Sequence, residues 1–494
     1  MTHLLETAAH PSALRRVAIE PLTRVEGHGK VTILLDEQNR VHQARLHIVE
    51  FRGFEKFIQG RPYWEVPVLV QRLCGICPVS HHLAAGKAVD MLVGALTLTP
   101  TAEKLRRLMH LGQILQSHAL HFFHLASPDL LFGFDSDPDR RNIFGVIGEH
   151  PDLAVRGVKL RKFGQEVIRH IAGKRIHGTA CVPGGMNKAL TAGERDELRR
   201  ETAQVVRWSQ DAVRTCRDLL EASAHAPTFG VFPSNFLSLI RKDGALDFYD
   251  GGLRARDARG GLIFDHVDYT HYNRYLREEV KSWSYMKFPF IISLGDEDGW
   301  YRVGPLARLN NCDLLDTVFA EHERQLFRQA ANGGMQHATL TYHWARLIEM
   351  LHAAEGIERL LDDPDITGTD LVVKGERALE GVGVIEAPRG TLIHHYEVDE
   401  NDVVVRAHLM VSTTHNNQAM NEAVRNVAAR YLDGNRLTEG LLNHIEVALR
   451  AFDPCLSCAT HALGRMPLRV ELVDAEGRVI DRIVKGADGT FWPE

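Results

Sequence analysis

Two Cys-x-x-Cys pairs, Cys74-Gly75-Ile76-Cys77 and Cys455-Leu456-Ser457-Cys458, stand near opposite ends of a 494-residue chain. Such a turn brings two sulfurs close enough to share one metal, and thiolates suit soft or borderline cations. A zinc finger closes its two pairs within about 15–20 residues, so no local finger forms. If the pairs meet, the fold must draw both chain ends around one buried ion. The spacing leaves four readings open: a closed tetrahedral zinc site, an iron–sulfur cluster on four cysteines, a catalytic thiolate centre with an open position, or two unrelated pairs.

The remaining cysteines, Cys181, Cys216 and Cys312, read as plain thiols. Seven cysteines are few and odd in number, which argues against a secreted disulfide framework and for a reducing compartment. A net charge of −6 gives the chain no global electrostatic reason to bind nucleic acid or an anionic membrane. It contains no apolar run of about 18 residues and no basic-then-apolar leader. The expectation is a cytoplasmic protein with no membrane insertion and no nucleic-acid partner.

A prior of about 150 residues per domain suggests roughly three domains, but the paired motifs at both ends argue against cutting the chain. We expect a loose leader over 1–16, one unit over 17–461 and an extension over 462–494. Residues 30–50 read as a hairpin around the polar turn 36–40. A helix over 79–96 precedes a second that starts with Thr99 as N-cap, Pro100 at its first position and Glu103 in its first turn. That helix carries a buried stripe of Leu105, Leu108, Gly112, Leu115, Ala119 and Phe122. Amphipathic helices are predicted over 194–223, 314–330, 337–362, 416–432 and 437–451, and strands over 370–374, 382–386, 391–398, 402–412, 467–473 and 478–484. The region 243–262, rich in Gly, Asp and Arg, reads as a surface excursion. The fold class is therefore mainly α with small β elements. Gly381-Val382-Gly383-Val384-Ile385-Glu386 lacks the third glycine of a dinucleotide fingerprint, so no nucleotide is expected on this chain.

The neighbours of the cysteines narrow the chemistry. Arg24-Val25-Glu26-Gly27-His28, Phe51-Arg52-Gly53-Phe54-Glu55, Arg72-Leu73 before the first pair with His81 after it, and Asp453-Pro454 before the second pair with His461 after it occur in this order. The set resembles the large subunit of the nickel–iron hydrogenases from about residue 17 to the C-terminus. The stretch 47–60, with Trp64-Glu65 and Ser80-His81-His82, is most similar to the cytoplasmic NAD(P)-coupled bidirectional group. Deazaflavin-reducing enzymes and archaeal sulfhydrogenases are the alternatives within the family.

The resemblance implies a large mainly α unit, its metal site buried where the chain ends meet. Cys74 and Cys455 match the terminal nickel thiolates, and Cys77 and Cys458 the thiolates bridging nickel and iron, an iron that carries cyanide and carbon monoxide. Glu26 matches the proton acceptor beside a terminal thiolate, and Arg389 the arginine held over the iron. Glu55 and His461 match ligands of a magnesium or similar hard ion. His81 matches a partner of a bridging sulfur, and Ser412-Thr413-Thr414 lie where a hydroxyl meets a cyanide. The implied partners are an iron–sulfur small subunit, a flavin and iron–sulfur diaphorase module, nickel-insertion factors, and an endopeptidase that removes the tail after His461. Heterolytic cleavage of dihydrogen needs a Lewis acid for hydride and a nearby base for the proton, roles that fall to the metals and to the Cys455 sulfur. One departure concerns the long helix, where Gln116-Ser117-His118 replaces the aspartate–histidine pair of many relatives. The rival reading is a non-catalytic redox-complex subunit stapled by one zinc; Glu26, Arg389 and His461 discriminate, since a closed structural site has no use for them.

Overall fold

The computed structural model describes residues 15–36, 40–48, 52–281, 283–432 and 438–459, with the backbone of three strands further on. Long helices form the body. Pro100–Leu120 is capped by the Thr99 side chain, which accepts from Ala102 N at 3.1 Å. Its apolar stripe is buried, so the helical spacing of the sequence marks the packing face. One side packs on Pro151–Ala172, the other on Thr341–Leu361, which in turn packs on Ala192–Ala222. The helices Val318–Gln329, Asn417–Tyr431 and Glu439–Phe452 fall where amphipathic segments are expected. Pro151–Ala172 is absent from the sequence reading. It is rich in charged residues and carries Gly157 and Gly164, and these glycines are what let it lie close against Phe123 and Gly112. Its buried face, which includes Ala154, Gly157, Leu160, Gly164, Val167 and Ile171, does repeat at helical spacing, but two of these positions are glycine and the rest of the helix is heavily charged.

The hairpin of Gly29–Leu35 and Val41–Ile48 pairs in the register Val31 with Leu46 and Ile33 with Ala44, and these four side chains are fully buried. A third strand, Arg15–Ile19, pairs antiparallel with Gly29–Leu35 and starts within the segment expected to be a loose leader. The surface excursion expected over 243–262 is corrected. Gly252–Arg256 lies inside a four-stranded sheet between Asn235–Ile240 and Leu262–Val267, with Leu253 and Ala255 buried. Its polar composition misleads because the charges are paired in place: Arg254 donates to Asp265 at 2.7 Å and to Asp313 at 2.8 Å. Buried guanidinium groups are tolerated when they are satisfied this way.

The glycines of the broken dinucleotide fingerprint have a packing role. Glu380–Ala387 crosses the helix Pro78–Leu92 so closely that a Cβ on Gly383 would stand 2.0 Å from Ala84 O, and one on Gly381 2.1 Å from Ala88 O. Gly383→Ala is expected to push the strand off the helix and destabilise the fold by about 1–3 kcal/mol, a typical overpacking cost. A lowered urea midpoint at unchanged slope is the measurement. The neighbouring strands Gly390–Val398 and Val404–Met410 complete this antiparallel sheet. In the C-terminal segment Leu468–Val473, Val479–Lys485 and Phe491–Pro493 form a separate antiparallel sheet, matching the two strands expected over 467–473 and 478–484.

Candidate metal centre

The first pair sits where the short helical turn Val70–Leu73 gives way to Pro78–Leu92. Cys74 Sγ accepts from the backbone N–H groups of Ile76 and Cys77, each at 3.2 Å, which folds the turn around the sulfur. Gln113 and Gln116 both donate to Ile76 O, at 2.8 and 2.7 Å, and clamp the turn to the long helix. The second pair follows Glu439–Phe452. Asp453 ends that helix in the left-handed region at φ 55, and Pro454 prevents its continuation.

The two ends of the chain meet through backbone contacts. Glu26 bridges Cys455 in parallel, and Leu456 N donates to Glu26 O at 3.0 Å. Gly27 makes this approach possible: its φ is +84°, and a Cβ there would stand 2.8 Å from Ser457 N. Arg24 anchors the same segment from the other side, donating to Leu125 O at 3.0 Å and to Asp129 at 2.6 Å.

The four sulfurs, all buried and none in a disulfide, lie within 4.8 Å of one another. Cys74 and Cys455 are 3.4 Å apart, Cys455 and Cys458 2.7 Å. Hydrogen bonds from its neighbours, Cys455 first, hold the Cys74 thiol well below its ordinary range, whereas burial pushes Cys455 and Cys458 well above it. Burial thus opposes ionising all four sulfurs together unless cations stand among them, and the donor set fits a soft or borderline metal. The reading as two unrelated pairs is incompatible with this placement.

A closed zinc staple leaves the surroundings unexplained. Glu26 Oε2 lies 3.0 Å from Cys455 Sγ and accepts from Ser457 N at 3.1 Å. Arg389, in the tight turn between Glu380–Ala387 and Gly390–Val398, donates through Nε to Asp453 O at 2.5 Å and through Nη2 to Asp453 Oδ1 at 3.0 Å. Its Nη1 has no hydrogen-bond partner among the described residues although the side chain is buried. Burial disfavours its charge, but Asp453 and then the sulfurs of Cys455, Cys77 and Cys74 more than compensate, holding its pKa well above the ordinary value. Arg389 thus lines a small cavity with Cys77, His81, Thr413, Cys455 and Cys458. The departure at Gln116 is resolved as well: Gln116 serves the cysteine turn, and the acid beside Arg389 is Asp453.

Of the three residues 412–414, Ser412 and Thr413 line the cavity: Thr413 accepts from Cys455 N at 2.9 Å and Ser412 donates to Gly390 O at 2.7 Å. His81 lines the cavity, and its Nδ1 meets His394 Nε2 at 3.1 Å. Glu55 is buried and accepts from Leu409 N at 2.7 Å. His461 lies outside the described residues. His82 is a core residue, accepting from Ala180 N and Cys181 N, and burial lowers its pKa to about 4.

Sequence reasoning misses Arg308. Fully buried, it donates to Glu349 at 2.6 Å, to Glu386 at 2.8 Å, and to Ala387 O and Pro388 O at 2.8 and 3.1 Å. It therefore fixes the turn that aims Arg389. The available signal is an arginine inside the apolar run Pro305-Leu306-Ala307-Arg308-Leu309, where a charge is kept only if it is paired.

Known proteins resemble this chain in sequence and in overall fold. A HoxL-like family model matches residues 16–51, and a nickel-dependent hydrogenase model matches 52–132 and 248–461. The chain is 48% identical to the NAD-reducing hydrogenase HoxS subunit beta of Cupriavidus necator, over 94% of this chain and 99% of that one. It is 45% identical to the vhu F420-non-reducing hydrogenase chain of Methanocaldococcus jannaschii, over 84% and 98%. The crystal structure of an NAD+-reducing [NiFe]-hydrogenase in the H2-reduced state superposes with a TM-score of 0.88 at 59% identity, covering 90% of this chain and 99% of that one. The Ni-Fe-Se hydrogenase of D. vulgaris Hildenborough shares the fold, with a TM-score of 0.74 at 24% identity over 91% and 100%. Family models covering both cysteine pairs, together with near full-length relatives at this identity, fix the lineage of the four-sulfur site: the chain belongs to the nickel-dependent hydrogenase family.

Proposed function

We propose that this chain is the catalytic large subunit of a nickel–iron hydrogenase that cleaves dihydrogen reversibly into protons and electrons. The observation that carries the reading is Glu26 Oε2 standing 3.0 Å from the Cys455 sulfur inside a buried four-cysteine cluster. When bound on Cys74, Cys77, Cys455 and Cys458, the nickel–iron pair supplies the Lewis acidity and redox chemistry that dihydrogen cleavage requires. The residues handle the proton. The Cys455 sulfur is the first base, and Glu26 takes the proton from it and, being half-buried, passes it outward. Arg389 stays cationic, since guanidinium groups do not deprotonate in proteins, and it orients and stabilises negative charge in the cavity.

Iron carrying cyanide and carbon monoxide fits the pocket formed by Arg389 and Thr413, which offers a spare guanidinium N–H and a hydroxyl. Glu55, with its carboxylate buried beside Leu409 N, and His461 are the proposed ligands of magnesium or a similar hard ion. The sequence holds no spare cysteine set for a relay, so electrons pass to an iron–sulfur small subunit. From there a flavin and iron–sulfur diaphorase module delivers them to NAD(P)+; similarity to the NAD-reducing HoxS hydrogenase supports this acceptor. Among the described residues no helix is long and apolar enough to cross a membrane, and we place the complex in the cytoplasm. Elemental analysis tests the centre: one nickel and one iron per chain are expected, whereas one zinc without nickel establishes the structural staple instead.

The domain reading is a leader over 1–16, a catalytic unit over 17–461 and a tail over 462–494 removed in maturation. Cys455 and Cys458 already stand against the first pair, and it is His461, three residues on, that must follow them inward to reach a buried ion. A tail rich in charged groups cannot enter that interior without losing their hydration. We expect the intact mass of active, nickel-loaded enzyme to correspond to a chain ending at His461. An active enzyme that retains Glu494 removes both the cleavage and the assigned role of His461.

A further inference from the structure

A second constellation lies outside the four-sulfur site. Glu380 and Glu397 face each other across the strands Glu380–Ala387 and Gly390–Val398, and His395 precedes Glu397 by two positions, on the same face of its strand. One ligand atom from each of these residues lies within 4.8 Å of the others.

From this constellation a series of contacts runs inward. His395 Nε2 is 2.8 Å from Glu380 Oε1, and His395 Nδ1 is 3.1 Å from Tyr272 Oη. Tyr272 Oη is 2.6 Å from His408 Nδ1, and His408 Nε2 is 2.8 Å from Glu278 Oε2. Both ends are carboxylates, which only accept when ionised. Each of these contacts then needs its own proton, so the series needs four. Two neutral imidazoles and one phenol hold only three, whichever tautomers they adopt. The series is one positive charge short. At the inner end the demand is met, because Lys287 Nζ lies 2.8 Å from Glu278 and keeps it ionised. At the outer end, two carboxylates converge on one imidazole nitrogen, and no lysine pairs with either among the described residues.

We propose that Glu380, His395 and Glu397 bind a divalent cation of the zinc class, one imidazole nitrogen and two carboxylates with water completing the shell. Zinc takes such N and O ligands at about 2.0–2.2 Å. The cation substitutes for the missing proton and fixes every tautomer inward. His395 carries its proton on Nδ1 and donates to Tyr272 Oη; Tyr272 donates to His408 Nδ1; His408 donates from Nε2 to Glu278. A metal-bound histidine whose second nitrogen donates to an oriented partner is the usual arrangement of such sites. Arg406, 2.7 Å from Glu397 Oε1, competes only as an exposed ion pair, which contributes little. Glu380 is the mobile ligand, its side chain 62% exposed, and it can close on the ion without disturbing the sheet.

The test titrates the nickel-loaded enzyme with Zn2+ against a colorimetric chelator, comparing wild type with Glu380→Gln and Tyr272→Phe. Wild type is expected to take up one zinc per chain beyond its nickel and iron. Glu380→Gln, an exposed change that leaves the fold intact, removes stoichiometric uptake. Tyr272→Phe leaves the ligands but weakens binding by about 10–100-fold, the usual effect of losing an outer-shell partner. Zinc uptake that is absent in wild type, or equal in wild type and Glu380→Gln, overturns the site and places the fourth charge on an imidazole as a proton. The count is in zinc and independent of hydrogen turnover, so it stands apart from the hydrogenase reading.

Discussion

Cys77→Ser is expected to abolish hydrogen uptake and to lower nickel and iron content together. The sulfur of Cys77 is buried in the cluster and lines the cavity under Arg389, so a hydroxyl in its place removes a soft anionic ligand from a dry, crowded site. Serine is nearly isosteric, which keeps the loss from being one of shape. The same result is expected for Cys74, Cys455 and Cys458, because a metal site assembled from the four acts as a unit. Metal analysis by mass spectrometry alongside hydrogen-driven dye reduction measures both quantities. A Cys77→Ser enzyme with full nickel and normal turnover sinks the assignment of the centre.

Glu26→Gln separates proton transfer from assembly. The amide retains the shape and can hold Ser457 N through its oxygen, so the junction between the chain ends survives. It cannot take a proton from the Cys455 sulfur. Turnover in both directions is expected to fall by about 10²–10⁴-fold, the range of general acid–base catalysis, with nickel and iron content unchanged. Turnover near that of wild type shows that protons leave by another route and leaves Glu26 with the bridging role alone.

These two substitutions address residues far apart in the chain, and both residues are legible from the sequence alone. The cysteine spacing brings the ends together if the two pairs share a metal, and Glu26 with its neighbours carries the resemblance that assigns it a task. Helices with strong patterns are legible too, because an amphipathic stripe such as Leu105 to Phe122 must be buried whatever covers it. The strand Gly252–Arg256 is not, since its burial depends on partners contributed from elsewhere, as Asp265 and Asp313 are for Arg254.

The donor types, their order along the chain and the mainly α class are set by the sequence alone; that both cysteine pairs share one interior is a matter of the tertiary structure. Tertiary structure was needed to choose among the hydroxyls of 412–414, of which Ser412 and Thr413 line the site, and to reveal that Arg308 holds the Arg389 turn. The reason is physical. Local pattern records what a residue's own element requires, whereas a buried charge or hydroxyl is placed by whichever distant group completes its hydrogen bonds.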